Sequence, residues 1–156
     1  MSRLYEAVMG LVVADALGVP VEFEPRDSYQ VTEMTGYGTY RQLPSTWSDD
    51  SSMTLATLES FKRKGCVDPA DIMRNFFLWL FDNRFTARDY VFDVGNACRN
   101  AIWTYEQGVA PENCGGTGER DNGNGALMRM LPLGLLLEGT DEAKAAAVRQ
   151  IAGLTH

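Results

Sequence analysis

A chain of 156 residues with 45% hydrophobic and 22% charged side chains can bury a substantial core, and it lies away from the compositions of disordered and fibrous proteins. The net charge of −7, without any basic run, argues against a surface made to neutralise nucleic-acid phosphates. Cys66, Cys98 and Cys114 are odd in number, widely spaced and free of a Cys-x-x-Cys pair, which predicts reduced thiols in the cytoplasm rather than a disulfide frame or a zinc site.

In chain order, Leu4, Val8, Leu11 and Val12 recur at helical steps, which predicts a helix over residues 4–17 that Gly18 and Pro20 end. Asp15 interrupts this apolar run and no charged-then-apolar leader precedes it, so neither export nor membrane insertion is expected. A carboxylate in such a helix is either solvent-facing or part of a site. Residues 24–47 mix Pro25, Gly36, Gly38 and Pro44 with Tyr29, Tyr37 and Tyr40 and keep no period. They predict a long aromatic-bearing loop, a length that favours a binding role.

Ser48-Asp49-Asp50 opens a second helix, which Lys62, Arg63, Lys64 and Gly65 close with the acid-first, base-last order that suits a helix dipole. Asp68-Pro69-Ala70-Asp71 announces a third, carrying Ile72, Phe76, Phe77 and Leu80. Thr86-Ala87-Arg88-Asp89 predicts the cap of a fourth, with Val91, Asp93, Val94, Cys98, Ile102 and Tyr105 on it. After the glycine-rich loop 114–125 a fifth helix is predicted over 126–137, and a sixth runs from the Thr140-Asp141-Glu142 start to near Gly153. Six helices without a strand pattern predict an all-α fold, a single domain over 1–156.

The only histidine is His156, so a Ser-His-Asp triad, a Cys-His pair or a zinc helix would have to use the last residue, and none has its local motif. No lysine follows Gly125, which removes the phosphate loop of nucleotide triphosphatases. What remains is acidic: Asp15 and Glu22, then Ser48, Asp49 and Asp50, then Asp93, oxygen ligands that suit magnesium, manganese or calcium. Ser48-Asp49-Asp50 can equally be a helix cap, although capping needs only one of the three. Gly123-Asn124-Gly125 can be a flexible helix entry, or a place where backbone amides approach a pyrophosphate or ribose.

In this order the motifs resemble the ADP-ribosylglycohydrolase family. Gly10 to Glu22 resembles the family's Gly-x-x-x-Gly-Asp-Ala-Leu-Gly-x-Pro-x-Glu, with Ala14 in place of the second glycine. Trp47-Ser48-Asp49-Asp50-Ser51-Ser52-Met53 resembles its Trp-Thr/Ser-Asp-Asp-Thr-x-Met, Asp93-Val94-Gly95 its Asp-Ile-Gly, and Gly123-Asn124-Gly125-Ala126-Leu127-Met128-Arg129 its Gly-Asn-Gly-Ser/Ala-x-Met-Arg. Thr155-His156 matches a Thr-His pair that opens a further helical segment in the family.

The resemblance implies a compact orthogonal multi-helix bundle, a magnesium or manganese pair held in part by Ser48, Asp49 and Asp50, and catalytic Glu22 and Asp93 at the substrate. It also implies a binding surface for ADP-ribose from Gly123, Asn124, Gly125, Met128 and His156. The implied activity is hydrolysis of an N- or O-glycosidic bond between ADP-ribose and an acceptor, either a protein or a small molecule. The family's later Asp-x-Asp-Thr/Ser segment has no counterpart in these residues, so the resemblance covers an amino-terminal portion of the family fold. It therefore also implies an alternative: an ADP-ribose-binding or scaffold chain, or one half of a split enzyme, with an exposed apolar face that self-associates or takes a carboxy-terminal partner.

Overall fold

The computed structural model describes residues 2–156. Within them the chain forms six α-helices and no strand: α1 (Arg3–Gly18), α2 (Asp49–Lys64), α3 (Pro69–Asp82), α4 (Asn96–Glu106), α5 (Leu131–Leu136) and α6 (Asp141–Ala152). Their ends follow local chemistry. Ser2 accepts from the Tyr5 amide, Asp68 from the Asp71 amide and Thr140 from the Ala143 amide, each filling a donor the helix leaves open. Gly65 ends α2 in the left-handed region at φ 71°, where a side chain would be strained.

The core is assembled from α2 to α6. Met53 and Ala56 of α2, Ile72, Met73, Phe76 and Trp79 of α3, and Cys98, Ala101 and Ile102 of α4 close around Leu133, Ile151 and Leu154. Burial at this density supplies most of the fold's stability. By contrast α1 buries only Ala16 and leaves Tyr5, Met9 and Val13, one residue per turn, facing outward. Together with the following turn it is, at 19 residues for Arg3–Val21, long and apolar enough to cross a membrane by length and composition. The expectation that Asp15 cuts this run short is thus corrected, because one carboxylate does not lower the average of so apolar a stretch. Asp15 is instead engaged inside the fold, as described below.

Two predicted helices differ. The fourth was expected from residue 86, yet α4 begins at Asn96. Phe85 and Asp89 sit in the left-handed region at φ 65° and 60°, which no helix accommodates, and residues 83–95 instead pack as irregular chain against the loop 24–47. Arg88 donates to Thr46 Oγ1 (3.2 Å) and to the Pro44 carbonyl (3.0 Å), Tyr90 donates to Gln42, and the Tyr40 ring meets those of Phe23 and Phe92 edge-on. Asp93 consequently stands in this segment rather than on a helix. The fifth helix, expected over 126–137, is broken into a 3-10 turn at Leu127–Arg129 and the short α5. Pro132 lacks an amide and is tolerated only in a first helical turn, so the helix restarts there.

Candidate active site

The site begins at the start of α2. Ser48 occupies the cap position, but its side chain does not cap the helix. Asp15 does so from α1. Its carboxylate accepts from the Ser48 amide (3.0 Å), the Ser48 hydroxyl (2.7 Å), the Ser51 amide (3.0 Å) and the Ser51 hydroxyl (2.6 Å). A carboxylate at a helix amino-terminus gains both charge-assisted hydrogen bonds and the dipole. The side-chain cap of α2 thus comes from another helix and not from Ser48, while Asp49 and Asp50 remain in the first turn, where acids suit the helix dipole. The Ser48 hydroxyl donates to Asp15 Oδ1 at 2.7 Å and lies 3.5 Å from Asp50 Oδ2, a longer alternative acceptor.

Glu22 follows the turn at Val19–Val21. The Thr39 hydroxyl donates to its carbonyl (2.6 Å), and a Cβ on Gly38 would lie 1.8 Å from the Pro20 oxygen, so only glycine lets the aromatic loop lie against this turn. Tyr40 of the same loop donates to Asp93 Oδ1 at 2.8 Å, and Asp93 lines the same cleft as Glu22. One cleft of about 420 Å³ is lined by Glu22, Asp49, Asp50 and Asp93 together with Gly123, Asn124, Gly125, Met128 and His156. Ser48 lies outside it, in an adjoining cleft of about 530 Å³ shared with Asp15, Glu22 and Asp50.

Acids so close cannot all ionise at neutral pH. Burial, with Asp93 beside it, pushes Glu22 up to about 7. Burial, then Asp93 and Asp50, push Asp49 up to about 8 against the opposing Gly95 amide. Asp50 is raised by burial and by Asp15 and Asp93, and the Tyr40 phenol is raised by burial and by its bond to Asp93. Perturbed carboxylates in a cleft mark a place where protons are handled or a cation is held.

The glycine loop corrects one expectation. No long helix starts behind it, because Gly125 is followed by a 3-10 turn, and the Gly125 amide donates to Asn124 Oδ1 (2.9 Å). Gly125 packs closely: a Cβ there would be 3.0 Å from Cys98 Sγ and 3.1 Å from the His156 ring, and both would have to shift by a few tenths of an ångström. Met128 fastens the turn to α2 through its carbonyl, which accepts from Thr54 Oγ1 at 3.0 Å.

Comparison with known proteins settles which family combines these parts. Residues 1–156 match the ADP-ribosylglycohydrolase family in full. The chain belongs to the ADP-ribosylglycohydrolase family. It is 39% identical to the ADP-ribosyl-dinitrogen reductase glycohydrolase of Rhodospirillum rubrum, over 99% of this chain and 51% of that protein. To the ADP-ribosylarginine hydrolase Tri1 of Pseudomonas putida (strain GB-1) it is 33% identical, over 85% of this chain and 35% of that protein. A solved structure, an ADP-ribosylglycohydrolase-related protein complex, superposes with a TM-score of 0.80 at 35% identity, over 99% of this chain and 49% of its own. This ADP-ribosylglycohydrolase chain thus spans about half or less of the length of these relatives.

The donor set suits a hard divalent cation, being carboxylates and a serine hydroxyl. Among the described residues, however, no three Asp, Glu, His or Cys side chains surround a common point as ligands. Asp49 turns toward Asp93 and Gly95, whereas Asp50 turns toward Asp15 and Ser48, so the two aspartates offer separate oxygens rather than a closed cage. Two further participants escaped sequence reasoning. Tyr40 carried no signal beyond its place in an aromatic loop, and Arg129 stood in a matched motif without a role.

Proposed function

We propose that this chain supplies one wall of the active site of a hydrolase that cleaves the glycosidic bond between ADP-ribose and an acceptor. The reading rests above all on Glu22, Asp49, Asp50 and Asp93 lining one cleft together with the glycine loop. Tyr40 donates to Asp93 Oδ1, and Glu22, its carboxyl raised by burial and by Asp93 beside it, carries a proton near neutral pH. Poised at about 7, Glu22 is suited to give that proton to the departing nitrogen or oxygen as the bond to the anomeric carbon breaks. A water oxygen then bonds the anomeric carbon, and a carboxylate of the cluster takes its proton.

Ser48, Asp49 and Asp50 would hold magnesium or manganese, whose chemistry when bound is to polarise a ribose hydroxyl or water. Filling the cluster with positive charge would also relieve the repulsion that lifts Asp49 and Asp50. The names of the two enzymes above support an ADP-ribosylated protein as substrate, with modified arginine as one acceptor. The three free cysteines support a cytoplasmic setting.

The decisive test is hydrolysis of ADP-ribosyl-arginine by a competent preparation in magnesium or manganese, with Asp49→Ala and Asp50→Ala beside it. Wild-type activity and metal affinity in both variants would sink the reading.

A second reading, an ADP-ribose-binding chain or half of a split enzyme, is favoured by the open arrangement of the acids and by the outward stripe Tyr5, Met9 and Val13 on α1. It calls for a second copy or a carboxy-terminal chain carrying further acids. A monomer by light scattering that turns over substrate alone would exclude it.

A further inference from the structure

Arg129 is fully enclosed, and a buried guanidinium is costly unless its donors are met. Its partners are neutral groups. Nη1 donates to the Gly125 carbonyl at 3.0 Å, and Nη2 donates to the Ile151 carbonyl at 2.9 Å and to Thr155 Oγ1 at 2.8 Å. The guanidinium lies 5.0 Å from the centre of the Phe76 ring, a cation–π placement. The carbonyl at Ile151 belongs to the last turn of α6, where a helix presents its negative end. One side chain therefore ties the glycine loop to the residues that follow α6.

Arginine can only donate, and a threonine hydroxyl has two lone pairs and one hydrogen. Thr155 Oγ1 accepts from Arg129 Nη2 and, weakly, from the Cys98 thiol at 3.9 Å, which leaves its hydrogen for His156 Nδ1 at 2.6 Å. A ring nitrogen that accepts is unprotonated, and in a neutral imidazole the proton is then on Nε2. That nitrogen is the one facing the glycine loop, 3.6 Å from where a Cβ on Gly123 would stand and 3.5 Å from one on Gly125. Burial and Arg129 together hold the imidazole below its ordinary range, against Asp121. The groups facing the ring are thus Arg129 from the 3-10 turn, Asp121 from the loop and Cys98 from α4.

We infer that Arg129 and Thr155 form a relay that holds His156 as a neutral imidazole with its Nε2–H aimed into the cleft beside the glycine loop. There it is a hydrogen-bond donor for an oxygen of the ribose–pyrophosphate portion of the ligand. His156 is then a binding residue that transfers no proton, and Arg129 and Thr155 are positioning residues. The division of labour within the cleft follows: protons move among the acids, and a fixed neutral donor holds the ligand. The nature of the ligand rests on the function proposed above, whereas the tautomer does not.

The test uses the full chain labelled with nitrogen-15, in which His156 is the only imidazole and its ring signals need no assignment. At neutral pH Nε2 should be protonated and pyrrole-like, and Nδ1 unprotonated and pyridine-like. Thr155→Val keeps the shape and removes the relay hydroxyl. It should release a mixture of both tautomers and weaken ADP-ribose binding about 3- to 10-fold, the equivalent of one hydrogen bond, and Thr155→Ser should restore both. A wild-type ring protonated on Nδ1, or a Thr155→Val ring still locked on Nε2–H, would overturn the relay. The expected tautomer with no affinity for ADP-ribose in magnesium would leave the relay standing and overturn the ligand instead.

Discussion

Replacing Asp15 by asparagine should destabilise the fold by more than its exposed helix suggests. The carboxylate accepts two amides and two hydroxyls at the start of α2. Asparagine offers one oxygen and one NH2; with the oxygen in the Oδ2 place it still accepts from both amides, but the NH2 then stands against the Ser48 amide and the Ser48 hydroxyl must turn to accept from it. Replacing charge-assisted bonds by neutral ones and crowding that amide costs about 1–3 kcal/mol. Loss of the negative charge at the helix start adds about 0.5–1 kcal/mol. Removing Asp15 also relieves its repulsion on Glu22, Asp49 and Asp50. At pH 6 Glu22 and Asp49 are mostly protonated, and the relief is small. The net expectation is a loss of about 2–4 kcal/mol, which for a chain of this size lowers Tm by about 5–15 °C. Thermal unfolding at pH 6, followed by circular dichroism, measures it. A Tm within about 2 °C of wild type would mean that water replaces Asp15 at the amides, and the capping argument would fail.

Metal-free protein should lose stability as pH rises. Glu22 and Asp49 bind protons more tightly folded than unfolded, so their contribution is complete below about pH 4 and disappears as pH passes through about 7 and 8. A loss on the order of 3 kcal/mol between mildly acid and mildly alkaline pH is expected, and Asp49→Asn should flatten it; equal slopes in denaturant titrations of the two proteins would contradict this. Tyr40→Phe strips the hydroxyl from Asp93 and should cost about 1 kcal/mol by urea unfolding, with no change at all counting against the bond. Gly38→Ala drives a Cβ into the Pro20 carbonyl at a positive φ and should cost about 2–4 kcal/mol. It should also loosen Glu22, seen as a Glu22 pKa nearer its ordinary value in carboxyl-carbon NMR.

The helix starts at Asp68 and Thr140 were legible because capping is local: the cap and the amide it satisfies lie three residues apart. The acids, the glycine loop and His156 were legible as an ordered set of motifs, and the fold brings all but Asp15 and Ser48 to one cleft. What the sequence did not carry was anything decided across the chain. Asp15 reaches the α2 amides over 33 residues and Tyr40 reaches Asp93 over 53, and no period or spacing encodes such a meeting. The ten residues before α4 failed for the same reason. Their apolar spacing is helical, yet Arg88 and Tyr90 bind the opposing loop, and that pairing outweighs local preference.

α2 is closed at its amino-terminus by a helix that hardly enters the core. α1 fully buries Ala16 alone and half-buries Leu4, Val8, Leu11, Val12 and Leu17, so its detachment, which leaves the core of α2 to α6 packed, should need less free energy than global unfolding. Each such opening would leave the Ser48 and Ser51 amides without Asp15 and set Asp49 and Asp50 adrift while Met53, Phe76 and Ile102 remain packed. Hydrogen exchange should then find these two amides opening in step with α1 and well ahead of the interior of α2. The acids would then come apart ahead of the core beneath them.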